Sequence, residues 1–90
     1  MLKLTPTNQF KKDYKLDVRR GRKPQKLSAV LEVLCAENEL SAKYKDHALT
    51  NSKKYKDVRE CHIEPDWLLI YRIDESSVHL IRTGTHSDLF

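Results

Sequence analysis

Three strand-like runs near the C-terminus limit the possible folds of this chain more than any other feature. Residues 58–64, 67–73 and 78–83 are rich in β-branched, aromatic and apolar side chains, and are separated only by Pro65-Asp66 and by Asp74-Glu75-Ser76-Ser77. Turns that short predict an antiparallel meander. In the first run Val58, Glu60 and His62 share one face and Arg59, Cys61 and Ile63 the other, which sets Glu60 and His62 about 7 Å apart on one side of the sheet. Gly84 breaks the last run, and Thr85 with Asp88 three residues on can cap a single helical turn.

The residues before the meander read as helical. Leu2-Lys3-Leu4 alternates as a short strand, after which Thr5 suits a cap and Pro6 the first helical position. Phe10, Tyr14 and Val18 then recur every fourth residue, and Gly21 stands where a helix end takes left-handed backbone. A second helix begins near Pro24, with Leu27, Val30, Leu31, Leu34 and Cys35 forming one stripe. Residues 41–56 are polar and aperiodic and read as a long loop. The order is β-α-α-β-β-β in one domain, residues 1–90. This is an α+β fold, with two N-terminal helices on one face of a mostly antiparallel sheet and the other face open.

Charge is unevenly distributed. Residues 1–26 hold nine Lys and Arg against Asp13 and Asp17, a net of +7, while the whole chain carries +4. Such an arm favours a polyanion through counterion release, although a solvated helix face is the commoner use of a Lys/Arg run. Lys53-Lys54-Tyr55-Lys56 adds a second basic stretch with an aromatic in it. The chain has no apolar run near membrane-span length and no signal-like segment, which predicts a cytoplasmic protein with no membrane partner. Cys35 and Cys61 have no paired spacing and read as reduced, buried thiols.

The chemistry is concentrated in the second half. His47, His62 and His86 accompany Glu60, Asp66 and Arg82, and there is neither a metal-ligand spacing nor a Gly-rich phosphate loop. Histidine exchanges protons near neutrality, carboxylates orient it, and arginine holds developing charge on phosphate. That set suits cleavage of a phosphodiester without metal or cofactor. Singly, each residue has a plainer reading. His47 can be surface, Asp66 can shape the Pro65 turn, Trp67 can be partly buried, Arg82 can pair with Asp88 or Glu60, and His86 can belong to a cap. His79 is assigned no role.

Three ordered motifs carry a resemblance. Tyr44-Lys45-Asp46-His47-x-Leu49, the run Arg59-Glu60-Cys61-His62-Ile63-Glu64-Pro65-Asp66-Trp67-Leu68-Leu69-Ile70-Tyr71, and Arg82-Thr83-Gly84-Thr85-His86-Ser87-x-Leu89-Phe90 closely resemble the YafQ branch of the RelE-type toxins. The resemblance covers residues 44–90, with Phe10-Lys11-Lys12-Asp13 a looser match and residues 19–42 contributing little. It implies a bacterial type II toxin with a RelE-like fold. Such a toxin is an endoribonuclease that cuts mRNA in the ribosomal A site, is silenced by an antitoxin, and meets operator DNA only through that complex. It further implies catalytic roles for His47, His62, Asp66 and His86. Arg82 becomes the phosphate-binding arginine and Phe90 the terminal aromatic; the Phe90 ring can stack a nucleobase or equally form the hydrophobic end of the core. Trp67 belongs to the active-site surface beside Asp66. Glu60 falls where the best-known member has Asp, and the stretch from Asn51-Ser52 to Tyr55 departs from the usual Gly and Trp.

The implied reaction is attack by the ribose 2′-OH. His62 or His47 is the base, oriented by Glu60 or Asp66, and His86 is the acid. Lys11, Lys12, Lys15, Arg19 and Arg20 would meet ribosomal RNA. Two rivals stand beside it. A non-catalytic RNA- or ribosome-binding module needs only the basic arm. A DNA-binding regulator needs a recognition helix within residues 25–37, a stretch with Glu32 and Glu37 and only Lys26.

Overall fold

A computed structural model describes residues 1–50 and 52–90. The elements are β1 (Lys3–Pro6), α1 (Asn8–Arg19), α2 (Pro24–Cys35), a 3-10 turn (Ala42–Tyr44), β2 (His47–Ala48), β3 (Arg59–Glu64), β4 (Trp67–Ile73), β5 (Ser77–Gly84) and α3 (His86–Leu89). They build one five-stranded sheet of order β1-β5-β4-β3-β2. The β3-β4-β5 meander is antiparallel as its short turns require, and β1 adds in parallel along β5.

The first helix starts later than Thr5-Pro6 suggested. Pro6 still pairs with Leu80 at the end of β1, and Thr7 is the cap. Its hydroxyl accepts from the Phe10 N–H at 3.1 Å and donates to the Ile81 carbonyl at 3.0 Å, so one side chain starts α1 and ties it to β5. Gly21 does adopt φ +93°, and α2 opens on Pro24.

Val18 is exposed, while Asp13 and Asp17 are buried together with Phe10. The α1 face turned to the protein is therefore partly acidic, because it meets Arg82 and Trp67 rather than a wholly apolar sheet. On that side Phe10, Leu27, Val30 and Leu34 from the helices pack on Cys61, Trp67, Leu69, Tyr71, Val78 and Leu80.

Two further expectations need correction. The stretch 41–56 is not wholly loop, since it holds the 3-10 turn and β2, whose backbone completes the sheet edge beside β3. Asn51 lies outside the described residues. Nor is the second sheet face open: Tyr55, Val58 and Leu89, with Leu49 and Ile81, cover Leu68 and Ile70 there. A strand face carrying Leu68 and Ile70 needs cover from water, and the 49–58 segment and α3 supply it. Cys35 and Cys61 are buried free thiols, and burial pushes the Cys61 thiol up to about 12.

Candidate functional site

The second sheet face also carries the polar residues. Cys61 and Ile63 point into the helix-side core, which turns Glu60 and His62 to the opposite face. β2 sets His47 directly across from Glu60. Glu60 is only 4% exposed, and its Oε1 stands 3.5 Å from Nε2 of His47 and 3.5 Å from Nε2 of His62. The two imidazole centroids are 6.5 Å apart.

The remaining nitrogen of each ring faces backbone. His47 Nδ1 lies 2.7 Å from the Lys45 carbonyl and His62 Nδ1 lies 3.2 Å from the Pro65 carbonyl. A carbonyl can only accept, so Nδ1 carries hydrogen in both rings and Nε2 is the atom that exchanges a proton. Each Nε2 faces the same carboxylate. The His47 segment is anchored next door, where Asp46 accepts from the Arg59 guanidinium and the Tyr71 hydroxyl. Burial and then that bond push the Tyr71 hydroxyl well above its ordinary range, so it stays a donor.

Strand register brings Arg82 to the same face. Val78 and Leu80 lie in the helix-side core, and strict alternation would send Arg82 there too. A bulge at Ile81 reverses this: Leu80 pairs with Tyr71, whereas Arg82 pairs with Ile70. His47, Glu60, Ile70 and Arg82 thus form one row across four strands. Past the end of β1 the Arg82 guanidinium reaches Asp13, which accepts from Nε at 2.7 Å and from Nη2 at 3.1 Å. Asp13 also accepts from the Thr83 N–H at 3.2 Å, so the carboxylate is itself fixed. This pairing holds the arginine's pKa above its usual value, mainly through the hydrogen bond to Asp13.

Asp66 and His86 meet at the start of α3. Asp66 Oδ1 accepts from the His86 N–H at 3.0 Å, so the carboxylate positions His86 through its backbone. Thr85 and Asp88 form the capping box read from the sequence. The Thr85 N–H, followed by Arg20, holds the Asp88 carboxyl below its ordinary range. The His86 and Phe90 rings are 5.1 Å apart, Tyr55 stands edge-on to Phe90 at 5.6 Å, and Phe90 is half exposed.

Trp67 must be withdrawn from the substrate-contacting residues. It is fully buried in the helix-side core, and its indole N–H is shared between Asp17 at 3.1 Å and Thr83 at 2.9 Å. Asp66 precedes it on the exposed turn, and one step of alternation carries the next side chain under the sheet. Lys11, Lys12, Lys15 and Arg19 are exposed on α1 and Arg20 at its C-terminal cap, with Arg20 in a 2.7 Å ion pair to Asp88. The Arg20 pair joins the end of this basic run to α3, the helix that carries His86. Arg82 pairs with neither Asp88 nor Glu60.

Sequence reasoning missed three contributors. Asp13 had a signal, being one of only two acids in a segment of net +7. Tyr55 looked like part of a basic loop, but it is buried and its hydroxyl donates to the Leu89 carbonyl at 3.0 Å, pinning the C-terminus. Arg22 donates to Glu64 at 2.9 Å and to the Asp66 carbonyl at 3.0 Å, bracing the β3–β4 turn; nothing in its sequence context indicated this.

Comparison with known proteins places this geometry. Residues 2–90 match the family described as bacterial toxin of type II toxin-antitoxin system, YafQ. The mRNA interferase toxin YafQ of Escherichia coli (strain B / BL21-DE3) is 41% identical over 85 residues, 93% of this chain and 90% of that protein. A copper-bound mutant toxin from Helicobacter pylori superposes with a TM-score of 0.93 at 38% identity, with all of both chains covered. The E. coli DinJ–YafQ complex gives 0.89 at 38% identity over 100% of this chain and 99% of that one.

Proposed function

The chain belongs to the YafQ family of type II toxin–antitoxin toxins, and from that membership we propose that it is an mRNA interferase, an endoribonuclease that cuts mRNA in the ribosomal A site. The observation that carries the catalytic reading is the buried Glu60 carboxylate facing Nε2 of two histidines, in one strand row with Arg82. A binding module has no need of that arrangement. Acid–base cleavage does.

The nucleophile is the ribose 2′-OH beside the scissile phosphate, already in place through the substrate's own covalent geometry. His62 or His47 takes its proton at Nε2, and Glu60 stabilises the imidazolium that results. The 2′-oxygen bonds to phosphorus, the bond to the 5′-oxygen breaks, and a 2′,3′-cyclic phosphate is left. His86 gives the proton that turns the leaving oxygen into a 5′-OH, with Asp66 fixing where α3 presents it. Arg82, steadied by Asp13, faces the negative charge that grows on the non-bridging oxygens. Phe90 offers a ring for a nucleobase, a contact worth about 1–3 kcal/mol.

Lys11, Lys12, Lys15 and Arg19 supply the surface for ribosomal RNA. The silencing partner is an antitoxin, by analogy with the DinJ complex of the E. coli relative, and operator DNA is met only through that complex. No helix of the described residues is long and apolar enough to cross a membrane. The Helicobacter pylori mutant toxin has a copper-bound crystal structure. Among the described residues here no group of three His, Cys, Asp or Glu side chains has the geometry to hold a metal ion, the His47–Glu60–His62 set included, and the steps above use none.

The test is to map the cleavage sites in a translated mRNA against the same RNA without ribosomes, with and without EDTA under conditions that keep ribosomes intact. Ribosome-dependent, EDTA-resistant cuts ending in a 2′,3′-cyclic phosphate are expected. Equal cutting of naked RNA refutes the ribosome requirement, and growth arrest without cleavage refutes the enzyme.

A further inference from the structure

Beside His62, on the side away from Arg82, lies a groove of about 550 Å³ between α2, the 3-10 turn and the end of β3, within the usual range of roughly 300–1,000 Å³ for a small-ligand site. We propose that it is a nucleotide subsite, seating the phosphate and base next to the scissile phosphate; the proposal rests on the endoribonuclease reading and adds where the flanking RNA lies.

Charge is the first argument. Lys26, Lys43 and Lys45 line the groove, with Glu64 its one acid. Glu64 is already held by Lys26 at 2.7 Å and Arg22 at 2.9 Å, which keep its carboxyl below the ordinary range. Lys43 and Lys45 have no ion-pair partner among the described residues, and they face a groove that can take an anion.

Shape and chemistry are the second. Ala29, Ile63 and Pro65 give the groove an apolar lining, and Tyr44 supplies an aromatic ring with the Lys43 ammonium 5.0 Å from its centre. Cations with an aromatic on an apolar floor are what single-stranded RNA binds: phosphate on lysine, base on ring.

Continuity is the third. His62 lines the groove and also faces Glu60, and the chain runs from the lysines straight into the catalytic segment, where the Lys45 carbonyl holds His47 Nδ1. Lys45 has φ +50°, a left-handed position that turns the chain from the 3-10 turn into β2. RNA lying in the groove therefore passes beside His62 and abuts the segment that carries His47.

The probe is a 2′-O-methyl RNA trinucleotide, which cannot be cut, added to the intact protein while backbone amide resonances are followed. Amides of Lys43, Tyr44, Lys45 and Ala29 are expected to shift. The K43Q/K45Q variant, with its other resonances in place, is expected to bind more weakly. Its log–log salt dependence should fall by about 0.7 for each lysine that had held a phosphate. Shifts confined to the His86 and Phe90 region, an unchanged affinity and salt slope in the variant, or stronger occupancy of the groove by an oligo-glutamate peptide would each overturn the subsite. Binding is read without cleavage. RNA seated in the groove of a protein that leaves translated mRNA intact would keep the subsite and remove the nuclease.

Discussion

Replacing Trp67 with Phe separates a structural role from a catalytic one at a residue whose neighbour in sequence, Asp66, faces the site. The indole N–H donates to Asp17 and to Thr83 inside the core, and Asp17 is only 2% exposed. Phe keeps a flat ring but has no donor, so a buried carboxylate loses its hydrogen bond. A bond to a charged group is worth about 1.5–3 kcal/mol, and the smaller ring leaves a void costing roughly another 1 kcal/mol. For a domain of this size a loss of about 2–4 kcal/mol lowers Tm by roughly 10–25 °C. The pH dependence adds a check. Burial raises the Asp17 carboxyl above its ordinary range, and the Trp67 hydrogen bond lowers it. A raised folded pKa contributes stability that is complete below the unfolded pKa and is lost as pH rises through the folded one. Without the indole the folded pKa rises further. The gap between variant and wild type should then widen from acid toward neutral pH and narrow again on acidification. The assay is thermal unfolding by circular dichroism across that range, with cleavage rates measured well below the variant's Tm. An unchanged Tm with slowed cleavage on saturating programmed ribosomes would show that the indole meets RNA, and the burial argument would fail.

His86→Ala should leave Tm nearly unchanged, because the side chain is exposed, and should slow single-turnover cleavage by about 10²–10⁴-fold; a near-wild-type rate would shift the acid role to another histidine. Arg82→Ala should lower the saturated rate constant with little change in the concentration giving half-maximal rate, since the charge it faces grows in the transition state. Asp13→Asn, which can still accept from the Thr83 N–H, should show the same signature more weakly, and a pure affinity defect would contradict its positioning role. Gly84→Ala should destabilise, as the added Cβ would stand 2.9 Å from Asp88 Oδ2 and break the α3 capping box. Losing a cap costs about 1 kcal/mol, read as a lower Tm together with lost cleavage because α3 presents His86.

Local rules revealed the meander, both helices and the α3 cap, because turn length, periodicity and capping act over a few residues. What they missed is set over long separations. β1 lies along β5 only because Lys3 and Ser77 are brought together by the fold, and that pairing moved the helix cap from Thr5 to Thr7. The bulge at Ile81 is a non-local event as well. No residue in Val78-His79-Leu80-Ile81-Arg82 announces it, yet it decides that Arg82 lies in the row of Glu60 and His47. Glu60 and His62 were legible as face-sharing neighbours. That His47 joins them depended on the two-residue strand hidden in a stretch too polar to read as one. Trp67 shows the converse: its motif linked it to Asp66, while alternation alone puts the two on different sides.

Asp13 and Asp17 explain why so basic a helix can pack at all. α1 has twelve residues, and its two acids are the charged side chains that turn inward, toward Arg82 and Trp67. A buried carboxylate without a partner would cost several kcal/mol; here one meets a guanidinium and a backbone N–H, the other an indole. Lys11, Lys12, Lys15 and Arg19 are left on the outer side with no acid of their own helix exposed among them. The charge count of residues 1–26 is therefore not the outward field: its two acids are internal, while Arg20, Arg22 and Lys26 are paired with Asp88 and Glu64 from outside the segment. One helix thus steadies the phosphate-facing arginine on its inner side and presents an unmixed cationic surface on its outer side. Any substitution at Asp13 acts on the site rather than on that surface, which is why its effect should appear in the rate constant while the salt dependence of ribosome binding stays as in the wild type.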